Sequence, residues 1–222
     1  FSYHIPSDSS AWESVYYLQN YVVGGWLLRA IHHYTANLAV ALIGVYLIQL
    51  IVTAQYRKPR ELVFWTAVVL GCVSLGLLLT GDLLAWDRNS YSASLTRFSY
   101  LKLVPVIGGD LFKIAIGGPG PAFGHFTLPR FQALHIGLFG ATFIGLVLLL
   151  QYLLCRADRR EVAAGKSSVA RWPAVTLPAA VACLVFMVVV LGLSVSHGTV
   201  PPHAGVSLGS PADPLDSYAA AR

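Results

Sequence analysis

Four long apolar runs, separated by polar segments, dominate the pattern of this chain. They cover about residues 22–54, 62–84, 127–154 and 172–196. A helix needs roughly 20 apolar residues to cross the hydrocarbon core of a bilayer, and each run is long enough. Because lipid offers no partners to backbone polar groups, we expect the runs to be helical. The pattern therefore predicts an all-α integral membrane protein with four transmembrane helices forming a bundle.

The segments between the runs predict less regular structure. Residues 1–21 are mixed in polarity and suit a short interfacial helix. The loop over 85–126 contains a Gly and Pro cluster that excludes one continuous helix, so two short helices near 91–103 and 108–115 are expected. The tail over 197–222 is rich in Pro and Gly and should be extended. Residues 1–196 would then form one transmembrane domain.

Composition and charge agree with this topology. The chain is 56% hydrophobic and 11% charged, whereas soluble domains carry about 25% charged residues. Its formal net charge of +5 comes largely from the short loops 55–61 and 155–171, and basic loops stay on the inner side of a membrane. Both ends of the chain and the loop 85–126 should then lie on the outer face. The positive charge is a topological signal, and no nucleic-acid partner is expected.

Ionisable residues lie near the outer ends of two predicted spans. Arg29 and His32 are in the first, and Arg130 and His135 are in the third. Such residues are costly in a membrane and usually mark a site. Two imidazoles at one depth on facing helices can ligate a bis-histidine haem, and the arginines would lie beside its anionic propionates. The alternative is that each histidine only hydrogen-bonds a neighbouring helix.

Other residues of these segments receive simpler interpretations. His33 points away from His32 on a helix and should be a packing or surface residue. Gly25 and Gly81 could let backbone approach a flat macrocycle, although glycines also serve packing in membrane helices. The histidines outside the spans are expected to be solvated: His4, His125, His197 and His203.

Several motifs together carry a family resemblance. GWLLRAIH followed by AN, YRKPRELVFWT, LLTGDLLAWD, VPVIGG and TLPRFQALH resemble cytochrome b of the quinol–cytochrome c reductases and its photosynthetic counterpart. The four spans would be the second to fifth helices of that family. The resemblance implies a haem-binding bundle, a quinol-oxidising pocket at the outer face, and Rieske iron–sulfur and cytochrome c partners. By the same likeness, His32 and His135 match the ligands of the outer, low-potential haem.

The chain also departs from the family pattern. The family has a second histidine 14 residues after the first ligand, and another 14 or 15 residues after the second ligand. Those positions hold Tyr46 and either Leu149 or Leu150, so one haem b is expected instead of two. In the outer pocket, Ala85 replaces a proline and Asp82 replaces a tyrosine. The resemblance suggests as quinone-pocket residues Ala93, Pro105 and Ile107.

The two ends of the chain resemble internal segments of a longer cytochrome b. We therefore expect either a piece of a longer protein or a split version whose other helices belong to another subunit. The leading functional hypothesis is an electron-transfer subunit that takes part in quinol oxidation, in a bacterial inner membrane or an equivalent one. The alternatives are a haem b anchor that conducts electrons for another oxidoreductase, and a structural subunit without redox activity. Family likeness also suggests a homodimer.

Overall fold

The computed structural model describes residues 3–58, 60–165 and 176–196, and the regular structure in these ranges is helical. The helices are α1 (Ala11–Asn20), α2 (Gly25–Val52), α3 (Glu61–Leu83), α4 (Arg88–Ser99), α5 (Gly108–Ile116), α6 (Thr127–Gln132), α7 (Ala141–Ala163) and α8 (Thr176–Ser196). A 3-10 turn, Tyr100–Leu103, follows α4. A π-helical segment, Ala133–Gly140, joins α6 to α7.

Four helical stretches are long and apolar enough to cross a membrane. They are Gly25–Val52, Glu61–Leu83, Thr127–Ala157 and Ala179–Ser196. They coincide with the four predicted runs, so the prediction of an all-α multi-pass membrane protein is confirmed. The third of these stretches continues as α7 to Ala163, beyond the predicted end of the run at residue 154. Residues 172–175 of the fourth run and the predicted tail over 197–222 lie outside the described residues.

The described chain forms two compact units. The first comprises residues 3–26 and 76–140, and the second comprises residues 27–58, 60–75, 141–165 and 176–196. The first unit therefore contains α1, the last turns of α3 and the helices of the loop over 85–126. The second contains most of α2 and α3 together with α7 and α8.

An aromatic core holds the first unit together. Its buried members are Ala11, Leu83, Trp86, Tyr91, Phe112, Ile116, Phe123, Leu128 and Phe131. The rings of Trp86 and Tyr91 meet edge to face at 5.3 Å, as do those of Tyr91 and Phe123. Such pairs contribute about 0.5–1.5 kcal/mol beyond the area that they bury. Since the core includes residues of α3, α5 and α6, it fixes α5 against the end of α3 and the start of α6.

A capping box begins α4. The Asp87 carboxylate accepts a hydrogen bond from the backbone N–H of Ser90 at 2.8 Å, and the Ser90 hydroxyl accepts one from the backbone N–H of Asp87 at 3.1 Å. The box satisfies two N–H groups that have no partner inside the helix, and the carboxylate complements the helix dipole. The two short helices expected in this loop are thus present, as α4 with its 3-10 turn and as α5.

Replacing the capping aspartate should loosen this unit. We expect Asp87→Ala to lower the free energy of unfolding by about 1 kcal/mol, because the Ser90 N–H loses its acceptor in a buried position. Chemical denaturation in detergent measures the change. Asp110→Ala is the matched control, because its exposed ion pair with Lys113 at 3.4 Å contributes little. Equal effects of the two variants would contradict the role of the cap.

Candidate functional site

His135 lies on the π-helical segment between α6 and α7. In this geometry each hydrogen bond spans five residues, so the turn is wider and accommodates one extra residue. Gly140, five residues on, is close to the His135 carbonyl oxygen, which would lie 3.0 Å from a Cβ placed there. π-Helical turns occur frequently at functional sites. The apolar periodicity of the sequence does not distinguish this turn from ordinary α-helix.

Thr80 of α3 contacts the ring of His135. The Thr80 Oγ1 lies 3.0 Å from His135 Nδ1 and 2.7 Å from the Gly76 carbonyl oxygen. A hydroxyl has one proton to donate, and the short bond to Gly76 uses it. With its proton on the Gly76 carbonyl, the Thr80 oxygen is free to accept a hydrogen bond from Nδ1–H. That direction corresponds to the neutral tautomer of His135 whose lone pair is on Nε2.

Gly81, the next residue of α3, forms a surface against which the same ring rests. A Cβ at this position would lie 2.6 Å from His135 Cε1 and 3.1 Å from its Nδ1, closer than any side chain could tolerate. Gly76 accommodates the Phe139 ring in the same way, with a Cβ 3.0 Å from the ring. The close approach expected at Gly81 is thus an approach to the histidine side chain. A contact with a macrocycle stays a prediction.

Sequence reasoning missed Thr80. The sequence signal for Thr80 is a hydroxyl residue in an apolar run, directly before Gly81. Threonine in a helix commonly bonds to the backbone carbonyl four residues earlier, and Thr80 does so with Gly76. Its second contact depends on which helix packs opposite, and that is decided by tertiary structure.

Arg130 and Gly25 have structural contacts of their own. The Arg130 guanidinium donates to the Ile114 carbonyl at 3.3 Å and lies where a Cβ of Gly117 would be. A cation is favourable at this point because α5 ends there in a left-handed Gly117, with φ of 83°. A Cβ on Gly25 would overlap the Leu18 carbonyl oxygen, so α2 begins tightly against α1. Propionate or macrocycle contacts of both residues stay predictions.

His32 and Arg29 belong to the second unit, on α2, with Arg29 one turn before His32. His32 is exposed and Arg29 is half-buried. His33 is also exposed, and its ring meets the Tyr34 ring edge to face at 5.3 Å. The surface role expected for His33 agrees with this. The pairing of His32 with His135 across an iron stays a prediction.

By the sequence likeness, Tyr46 and Leu149 or Leu150 stand where the family has its second pair of histidines. These positions lie in the second unit. Tyr46 and Leu150 pack against one buried cluster, formed by Leu50, Val63 and Ala67. Leu149 is 44% exposed, so Leu150 is the residue on the Tyr46 side. Gly71 of α3 allows a close approach here, since its Cβ would lie 3.1 Å from Leu47 Cδ1. These positions therefore lie in an apolar helix interface.

The three suggested quinone-pocket residues lie in the first unit. Ala93 is half-buried on α4, whereas Pro105 and Ile107 are exposed in the turn before α5. The Ile107 N–H donates to the Pro105 carbonyl at 2.8 Å across Val106, whose φ is 70°. Asp82 forms an ion pair with Arg97 of α4, and both side chains are partly exposed. The involvement of these residues in quinone binding stays a prediction.

Two histidines outside the spans have defined partners in the first unit. His4 is half-buried with Nδ1 3.1 Å from Ser14 Oγ, and burial lowers the pKa of its imidazole. The expectation that His4 is solvated is therefore wrong, because the turn before α1 packs onto that helix. His125 is exposed, as expected, and faces the Asp8 carboxylate. His197 and His203 lie outside the described residues.

Comparisons with known proteins point to one family. Residues 37–204 match the family model described as Cytochrome b(N-terminal)/b6/petB, and this stretch contains His135 and begins after His32. The chain is 35% identical over 145 residues to the menaquinol:cytochrome c reductase cytochrome b subunit of Geobacillus thermodenitrificans, covering 65% of this chain and 64% of that protein. It is 32% identical over 154 residues to cytochrome b6 of Rippkaea orientalis, covering 69% and 68%.

A solved structure shares the fold. The match is a chain of a hyperthermophilic respiratory Complex III, with a TM-score of 0.74 and 23% identity, covering 96% of this chain and 59% of that one. This likeness supports the helical membrane fold.

Gly81→Ala should remove haem from the protein. The added Cβ would overlap the ring of His135, the predicted haem ligand, so we expect haem affinity to fall by at least about 10-fold as that ring is displaced. Reduced-minus-oxidised difference spectra of membranes measure the loss. Gly137→Ala is the control, because it lies on the same π-helical segment and a Cβ there meets nothing within 4 Å. Equal haem contents in the two variants would contradict the close packing of Gly81 on His135.

Proposed function

Because the chain belongs to the cytochrome b N-terminal/b6 family, we propose that it is an electron-transfer subunit of a cytochrome bc-like complex. In this proposal it carries one bis-histidine haem b near the outer face of the membrane. The observation that carries the proposal is His135, a histidine inside an apolar span whose ring is held by Thr80 and Gly81. A span tolerates such a residue when it serves a site.

The residues at His135 fit a haem ligand. A ligating histidine usually donates its other ring N–H to a nearby acceptor, which fixes the ring and its tautomer. Thr80 supplies that acceptor to Nδ1 and leaves the lone pair on Nε2, the atom that would bind iron. His32 would be the second ligand, with Arg29 and Arg130 as cations for the propionates. When bound, a bis-histidine haem supplies a one-electron carrier whose ligands do not change.

We propose one haem for each chain. The second pair of family ligands is replaced by Tyr46 and Leu150, and both pack into the apolar cluster around Leu50. Neither a leucine nor a phenol buried among aliphatic groups resembles the imidazole pair of a low-spin haem. A Q-cycle that needs an inner haem is therefore not expected of this subunit, and electrons would leave for a partner subunit.

The quinol role is proposed from the relatives and from the first unit. The Geobacillus relative is described as a menaquinol:cytochrome c reductase subunit, and the chain spans 64% of that protein's length. The substrate would be a quinol from the membrane pool, near Ala93, Pro105 and Ile107. Partners would be Rieske-type iron–sulfur and cytochrome c subunits, the remaining cytochrome b helices, and a second copy of the chain. The setting would be a bacterial inner membrane, with both ends of the chain outside.

One observation favours a second candidate function, an electron conduit without a quinone site of its own. Asp82, where the family has a tyrosine, forms an ion pair with Arg97 and ties α3 to α4 at the proposed pocket. An ion pair there replaces an aromatic surface with a charged one. Sensitivity of quinol turnover to quinone analogues in the intact complex distinguishes the two functions, since the conduit would be insensitive.

The ligand assignment predicts opposite results for two histidines. His135→Ala should abolish the haem b absorbance bands, because iron loses an axial ligand. His33→Ala should leave them unchanged, because that ring is exposed and packs on Tyr34. Difference spectra of membranes compare the two variants at equal protein content. Loss of the bands in His33→Ala and their retention in His135→Ala would refute the assignment.

The haem count tests the proposal most directly. We expect one b haem for each chain by pyridine haemochrome assay of the purified complex, and a single wave in a redox titration of the b-type bands. The reason is that Tyr46 and Leu150 supply no imidazole to a second iron. Two b haems for each chain would show that the inner site uses other ligands. No haem at all would support a purely structural subunit.

A further inference from the structure

Thr80 is buried beside His135, the proposed haem ligand. The residue is 6% exposed and lies on the turn of α3 that faces the π-helical segment within the first unit. Its Oγ1 has three polar neighbours: the Gly76 carbonyl at 2.7 Å, the Leu77 carbonyl at 3.3 Å and His135 Nδ1 at 3.0 Å. Two of these are acceptors only. The single hydroxyl proton is directed toward them, which leaves the oxygen lone pair for the histidine.

Gly81 and the π-helical turn restrict the same ring in other directions. The Gly81 backbone sets how closely the ring can approach α3, since a Cβ would lie 2.6 Å from Cε1. The wide turn at Ala133–Gly140 sets the direction of the Cα–Cβ bond of His135. The remaining freedom of the ring is rotation about its Cβ–Cγ bond. The hydrogen bond to Thr80 fixes that rotation, because another orientation would leave Nδ1–H without this acceptor in an apolar span.

Building on the proposed function, we propose that Thr80 is a positioning residue for His135 that tunes the bound haem. By accepting the hydrogen bond from Nδ1–H, its hydroxyl holds one tautomer and one ring orientation. The same bond makes the imidazole more basic, so Nε2 donates more electron density to iron. Greater donation stabilises ferric over ferrous iron. Thr80 therefore increases haem affinity and lowers the midpoint potential of the haem.

The residue type matters to this role. A valine has nearly the same shape and no oxygen, so it would keep the packing and remove the acceptor. A serine would keep the oxygen and its bond to the Gly76 carbonyl while losing one methyl group. Comparing the two separates the hydroxyl from the volume that surrounds it.

The test uses membranes that contain the full complex, with Thr80→Val and Thr80→Ser measured beside wild type. Haem content comes from pyridine haemochrome assay, and the midpoint potential from redox titration of the b-type bands. We expect Thr80→Val to weaken haem binding about 10- to 100-fold and to shift the midpoint of the remaining haem to a more positive potential. Thr80→Ser should keep both values close to wild type.

Thr53→Val is the matched control. Thr53 makes the same bond to the carbonyl four residues earlier, to Gln49 at 2.7 Å, and lies near the end of α2. It should change neither haem content nor midpoint. If Thr80→Val does not accumulate, Thr80→Ala removes the same hydroxyl with less bulk and carries the same expectation.

The outcomes distinguish this inference from the proposed function. A midpoint that is unchanged in Thr80→Val overturns the role of Thr80 while leaving the haem assignment intact. A shift in Thr80→Ser as large as that in Thr80→Val also overturns it, because the hydroxyl would not be the cause. Absence of haem from the wild-type complex would instead refute the proposed function itself.

Discussion

Hydrocarbon leaves the polar groups of a membrane span only those partners that the protein provides, and this constraint governs the candidate site. His135 meets it through a hydrogen bond between its Nδ1 and Thr80 Oγ1, which lie 3.0 Å apart. That bond depends on α3 approaching closely, which Gly81 permits because it has no side chain. The adjacent hydroxyl of Thr80 and Gly81 thus give the histidine a hydrogen-bond partner and orient its ring.

The aromatic core of the first unit holds Thr80, Gly81 and His135 in this arrangement. Leu83 lies two residues after Gly81 on α3, and Phe131 lies four residues before His135 on α6. Both belong to the core around Trp86, so the packing that fixes the short helices of the loop also fixes the two elements that meet at the histidine. The loop over 85–126 is therefore a folded layer with its own capped helix, and its stability bears directly on the site.

The second unit contains Tyr46 and Leu150, the positions at which the family likeness predicts a second pair of histidines. Tyr46 and Leu150 belong to an apolar helix interface, and Gly71 lets Leu47 approach α3. Side chains from α2, α3 and α7 meet at this interface.

The sequence by itself determined the four spans, the short loop helices and the candidate ligands. Hydropathy over 20 or more residues and charges inside apolar runs are local signals that need no knowledge of neighbours. Tertiary structure alone decided the π-helical turn at His135, the contact with Thr80, the burial of His4 and the cap that Arg130 places on α5. Each of these depends on which element packs opposite, and residues such as Thr80 and His135, 55 positions apart, carry no periodic signal of their contact.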